Sequence, residues 1–130
     1  MSNLQNIITG LQHIGIPTAD VKNTVQFYEQ LGFSCYWRSD PKSGMDVAFL
    51  KLGSCVIEVY QSESPELRNG AIDHIALNVT DIESIFADIK ARGLQMLDSE
   101  INSLPFFEKG VRFFTILGSN AEKIEFNQII

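Results

Sequence analysis

A chain of 130 residues, 45% of them hydrophobic, is long enough to bury a core of its own. Its net charge of −6 and isoelectric point of about 4.8 exclude the usual electrostatic footprint of a nucleic-acid binder, because phosphates are repelled by an acidic surface. No apolar run is long enough to cross a bilayer, and Met1 to Gly10 lacks the charged-then-apolar order of a secretory signal. The expectation is therefore a cytoplasmic protein, with no membrane partner, whose Cys35 and Cys55 are reduced.

In chain order, the first expected element is a strand around Ile14 and Ile16, which alternate with His13 and Gly15 at the period of two that marks a half-buried strand. The histidine then faces away from the apolar side. Asp20 is a plausible N-cap for a helix from Val21 to Leu31, with Val21, Val25, Tyr28 and Leu31 on one stripe and Gly32 at its end. Three strands are expected next, at Phe33 to Arg38, Asp46 to Leu52 and Ser54 to Gln61. In the last of these Ile57 and Val59 flank Glu58, so the carboxylate points opposite to its apolar neighbours.

The same order then repeats. His74 stands among Ile75, Leu77 and Val79 as His13 stands among Ile14 and Ile16. Thr80-Asp81-Ile82-Glu83 has the spacing of a capping box and leads into a helix with Ile82, Ile85, Phe86 and Ile89 on its stripe, closed by Gly93. Strands are expected at Leu94 to Asp98, Val111 to Leu117 and Glu122 to Gln128, and in the last Ile124 and Phe126 flank Glu125. His13 and His74, the chain's two histidines, are 61 positions apart, as are Gly32 and Gly93, while the two glutamates are 67 apart. Hairpin turns absorb such small insertions at little cost.

A duplicated half that contributes one imidazole and one carboxylate can present two nitrogens and two oxygens to a single divalent cation, so His13, Glu58, His74 and Glu125 are candidate metal ligands. Parity leaves Val47, Phe49 and Lys51 on the glutamate face of the third strand, with Arg112, Phe114 and Ile116 as the matching positions in the second copy. Arg38 falls on that face as well. Each half reads as one βαβββ module, about residues 10–61 and 71–128, joined by an acidic segment at 62–70. The fold class is α+β, a single domain.

On these residues the chain resembles the vicinal oxygen chelate superfamily, the group of glyoxalase I, bleomycin-resistance proteins and extradiol dioxygenases, over Leu11 to Gln128. The resemblance implies two tandem βαβββ modules forming a cup-shaped mixed sheet with helices outside. It also implies a metal held by the first and last strands of each module, and the set His13, Glu58, His74, Glu125 is most similar to glyoxalase I. The implied activity is that of a lactoylglutathione lyase: isomerisation of the hemithioacetal of methylglyoxal and glutathione to a 2-hydroxyacyl thioester through an enediolate.

Within that resemblance Glu125 is the leading base and Glu58 its partner, Ni²⁺ is the first choice of metal ahead of Co, Zn, Mn or Fe, and the assembly is a homodimer. Arg38, Arg112 and Lys51 are candidate partners for the carboxylates of the substrate. The same fold also serves epimerases, antibiotic-modifying thiol transferases and metal-free drug-binding proteins, which remain as alternatives.

Overall fold

In a computed structural model, which describes residues 4–70 and 72–130, contacts divide the chain into two compact units, Met1–Pro65 and Glu66–Ile130. Residue 71, where the second module was expected to begin, and the first three residues of the Met1 to Gly10 stretch lie outside the described residues. A four-residue helix, α1 (Leu4–Ile7), which no pattern in the sequence marks, precedes the first module. Among the described residues no helix is long and apolar enough to cross a membrane.

The first unit runs β1 (Ile14–Thr18), α2 (Val21–Gln30), β2 (Ser34–Arg38), a short 3₁₀ turn at Pro41–Ser43, β3 (Val47–Leu52) and β4 (Cys55–Gln61). Its four strands lie in the order β1-β4-β3-β2, with β1 parallel to β4 and the other pairs antiparallel. The expected cap of α2 is present: the Asp20 side chain accepts from the Asn23 N–H, which leaves one fewer orphan donor in the first turn. The helix ends because Gly32 adopts φ +99°, which lets Gly32 N–H donate to the Glu29 carbonyl and Phe33 N–H to the Tyr28 carbonyl. Val21, Val25 and Tyr28 then pack onto Ala48, Leu50, Ile57 and Val59, all buried. Burying each larger side chain of this kind contributes roughly 1.5–3 kcal/mol.

The second unit repeats the plan with β5 (His74–Asn78), α3 (Ile82–Ala91), β6 (Asn102–Leu104), β7 (Val111–Leu117) and β8 (Lys123–Ile129), in the order β5-β8-β7-β6. Both units are thus βαβββ modules of an α+β fold. Ile82 and Ile89 of α3 are buried, as are Phe114, Ile116, Ile124 and Phe126 of the sheet, and the Phe86 ring meets Phe114 edge-on at 5.0 Å.

Two local expectations need correction in this unit. Asp81, one residue later than the capping-box reading, is the N-cap of α3, and its carboxylate accepts from the Ser84 N–H. The strand expected at Leu94 to Asp98 is reduced to a single bridge, Met96 to Ile116. The Asp98 carboxylate accepts the Thr115 N–H at 2.8 Å and so withdraws that donor from the ladder. The edge of β7 beyond it is taken by β6 instead.

Candidate metal centre

Strand pairing decides which side chains share a face. In the first unit Glu58 lies beside Gly15 of β1 and Phe49 of β3. Gly15 leaves room: a Cβ there would stand 3.5 Å from Glu58 Oε1. His13, the residue just before β1, reaches the same place, with Nε2 3.5 Å from Oε1 of Glu58. Its ring meets Phe49 edge-on at 5.5 Å. Its Nδ1 donates to the Gln12 side-chain oxygen at 2.9 Å, since an amide oxygen can only accept.

The second unit builds the same pair from the same positions. Glu125 lies beside Ala76 of β5 and Thr115 of β7. Nε2 of His74 stands 3.7 Å from Oε1 of Glu125. Nδ1 of His74 donates to Oδ2 of Asp73 at 3.0 Å, and Asp73 Oδ1 accepts from Lys123 Nζ at 3.0 Å. These two hydrogen bonds, His74's first and Lys123's second, hold the Asp73 carboxyl below its ordinary pKa. Oε2 of Glu125 accepts from Asn127 Nδ2 at 3.0 Å.

In the neutral imidazole with its proton on Nδ1, Nε2 of each pair is a bare acceptor turned toward a carboxylate oxygen. Two acceptors facing each other call for a positive centre between them. Donor atoms bonded to one cation at about 2.1 Å stand about 3 Å apart at a right angle. The observed separations of 3.5 and 3.7 Å are within a small side-chain adjustment of that value, so the donor types and spacing fit a first-row divalent cation. Each unit supplies a two-donor pair. Among the described residues no group of three or more histidine, cysteine, aspartate or glutamate side chains is assembled for a cation.

Of the three other expected residues, two leave the glutamate face. Arg112 stands across from Gln128 rather than Glu125, on the side of Phe114 and α3, where its Nη2 pairs with Glu83 Oε1 of that helix at 3.0 Å. That corrects the parity reading, and with it Phe114 and Ile116, which face the helix. Arg38 stands across from Ala48, on the side opposite Glu58, and pairs with Asp46 at 3.0 Å. A bulge between Cys35 and Trp37 inverts the phase of β2, so Trp37, not Arg38, faces Phe49, at 5.9 Å between rings. Lys51 does keep the Glu58 face, across from Val56. Both arginines line surface hollows that contain neither pair, one with Met45, Tyr60 and Glu63, the other with Phe107, Lys109 and Ile130. Gln12, Asp73 and Asn127 carry no periodicity signal of their own, although the first two directly precede the histidines and the third lies two residues after Glu125 on the same face.

Residues 12–114 match the family model of the Glyoxalase/Bleomycin resistance protein/Dioxygenase superfamily. The chain belongs to this superfamily. It is 34% identical over 124 residues to the uncharacterized protein YwbC of Bacillus subtilis (strain 168), covering 91% of this chain and 96% of that one. In fold it is similar to the glyoxalase family protein from Enterococcus faecalis, with a TM-score of 0.76, 22% identity, and 93% and 98% of the two chains covered. It is also similar to the fosfomycin resistance protein FosX from Listeria monocytogenes complexed with Mn(II) and sulfate, with a TM-score of 0.73, 18% identity, and 95% and 94% covered. These likenesses establish the glyoxalase-like fold.

Proposed function

We propose that this chain is a metal-dependent enzyme of the glyoxalase type, in which His13, Glu58, His74 and Glu125 together furnish one divalent cation with two nitrogens and two oxygens. The observation that carries this reading is the repeated His–Glu pair, each with Nε2 turned toward a carboxylate oxygen at 3.5 or 3.7 Å. Two imidazoles and two carboxylates suit Ni²⁺, our first choice, as well as Co²⁺, Zn²⁺, Mn²⁺ or Fe²⁺. The Mn(II) in FosX, a protein of the same fold, supports a first-row metal.

The proposed reaction moves a proton between adjacent carbons of a 2-oxoaldehyde thiol adduct, the first candidate being the hemithioacetal of methylglyoxal and glutathione. When bound, the cation supplies Lewis-acid stabilisation of the negative charge developing on the substrate oxygens, worth several kcal/mol in such sites. The chain's own residues supply the proton path. Glu125, 16% exposed and held by Asn127, is the fixed carboxylate. Glu58, 27% exposed and accepting no hydrogen bond among the described residues, is freer to leave its position and carry the proton. A positioned general base contributes about 10²–10⁴-fold. Phe49 and Trp37 form an apolar edge beside His13, and Lys51 is the cation left on that face for a substrate carboxylate.

A second reading is favoured by the two arginines being engaged elsewhere. A thiol with two carboxylates, such as glutathione, wants several cations, and a substrate with fewer carboxylates fits this face better. Another metal-dependent reaction of the superfamily, an epimerase or an antibiotic-modifying thiol transferase, meets that condition. A homodimer, checked by light scattering, belongs to both readings.

The deciding experiment is metal analysis of protein purified without chelator, followed by turnover of the hemithioacetal with nickel, cobalt, zinc and manganese added separately. Stoichiometric metal with turnover supports the isomerase. Metal without turnover transfers weight to the second reading, and no metal under any condition leaves a small-molecule-binding protein.

A further inference from the structure

We propose that Asp73, anchored by Lys123, is the positioning residue that keeps the proton of His74 on Nδ1 and presents its bare Nε2 toward Glu125. The inference rests on the metal reading only for what the bare nitrogen then binds; the positioning itself is a statement about two hydrogen bonds.

A neutral imidazole surrounded by water prefers its proton on Nε2, the wrong nitrogen for a donor aimed at Glu125. An acceptor at Nδ1 reverses that preference, because it can be satisfied only by the tautomer with Nδ1–H. Oδ2 of Asp73 is such an acceptor, 3.0 Å from Nδ1. A fully solvated carboxylate one residue away would ordinarily swing through several rotamers and hold the ring loosely. Here its other oxygen is tied to Nζ of Lys123 at 3.0 Å, and Lys123 is the residue of β8 directly across from His74. The tether therefore comes from the strand that carries Glu125 two residues on, and the ligand pair and its support share one stretch of backbone.

The first unit has a weaker version of the device. Gln12 offers His13 a neutral oxygen at 2.9 Å. An anionic acceptor makes the distal nitrogen more electron-rich than a neutral one does, so His74 should be the stronger donor of the two.

Imidazole ¹⁵N shifts of the full-length, metal-free protein at mildly alkaline pH, together with titration by Ni²⁺ alone, test this. In the wild type His74 should show Nδ1–H. Asp73→Ala should move the proton to Nε2 and weaken nickel binding by about 10–100-fold, the usual range for a residue supporting a metal-bound histidine. Asp73→Asn, which keeps an acceptor oxygen, should retain the tautomer and lose less affinity, and Lys123→Met should also lose less than Asp73→Ala. A wild-type His74 protonated on Nε2 overturns the proposal without any variant, as does an Asp73→Ala protein with unchanged tautomer and nickel affinity. If the wild type binds no divalent cation, the proposed function fails, while the tautomer measurement still decides the role of Asp73.

Discussion

Asn127 donates to Oε2 of Glu125 at 3.0 Å, whereas the corresponding position after Glu58 is Tyr60, which gives that carboxylate no hydrogen bond. Both residues lie two positions beyond their glutamate on the same face of the last strand. The duplicated pairs are therefore equal in donor type and unequal in constraint.

That inequality predicts different outcomes for the two glutamine variants. Glu58→Gln should keep most of its metal and lose turnover by roughly the 10²–10⁴-fold of a missing general base. Glu125→Gln should lose metal affinity first, with turnover falling in proportion to the metal lost. Metal content and kcat measured on the same samples separate the two. The reverse pattern would return the base role to Glu125, as the family resemblance implies.

The helix stripes predict graded losses of stability. Ile89 is 3% exposed, whereas Ile85, expected on the same stripe, is only half-buried. Ile89→Ala should cost about 2–5 kcal/mol in denaturant unfolding, by lost burial and the cavity left behind. Ile85→Ala should cost clearly less. Equal costs would mean that α3 sits on its sheet through a different face.

Much of this was legible in the sequence because it depends on local pattern. The His–Glu pairs follow from strand parity at β1, β4, β5 and β8, which carry no irregularity, and the glycines at 32 and 93 mark helix ends through backbone conformations that they adopt readily. Arg38 was misplaced because a bulge inverts parity without leaving a mark in composition. Arg112 was misplaced by one residue of register: the partner of Glu125 on β7 is Thr115, so the counterpart of Phe49 lies 66 positions on, at Thr115 rather than Phe114. A one-residue slip sends every side chain to the other face. The hydrogen bond that Asn127 donates and those that Asp73 accepts depend on side-chain reach, which spacing alone does not reveal.

The cap of α3 offers a direct check of another such slip. Asp81→Ala removes the oxygen that accepts from Ser84 N–H at 3.1 Å and should cost about 0.5–2 kcal/mol, the usual penalty for losing an N-cap. Thr80→Ala, the cap on the capping-box reading, should change stability by only a few tenths. Thermal or urea unfolding of the two variants side by side distinguishes the positions, and a larger loss at Thr80 would favour the capping box over the Asp81 cap.

The two cysteines should differ in reactivity, since the thiolate is the nucleophile and its formation depends on surroundings. Cys35 is exposed on β2. Cys55 is partly buried at the start of β4, and that burial raises its pKa by penalising the charged form. A raised pKa keeps Cys55 as the neutral thiol over a wider range of pH, so its alkylation should lag behind that of Cys35 at neutral pH and the lag should shorten as the pH rises. Peptide mass spectrometry of iodoacetamide-treated, folded protein at two pH values measures both rates. Equal rates at neutral pH, with the fold intact, would show that the strand end carrying Cys55 opens faster than the reagent reacts, and would place β4's first residue among the fraying positions of the sheet.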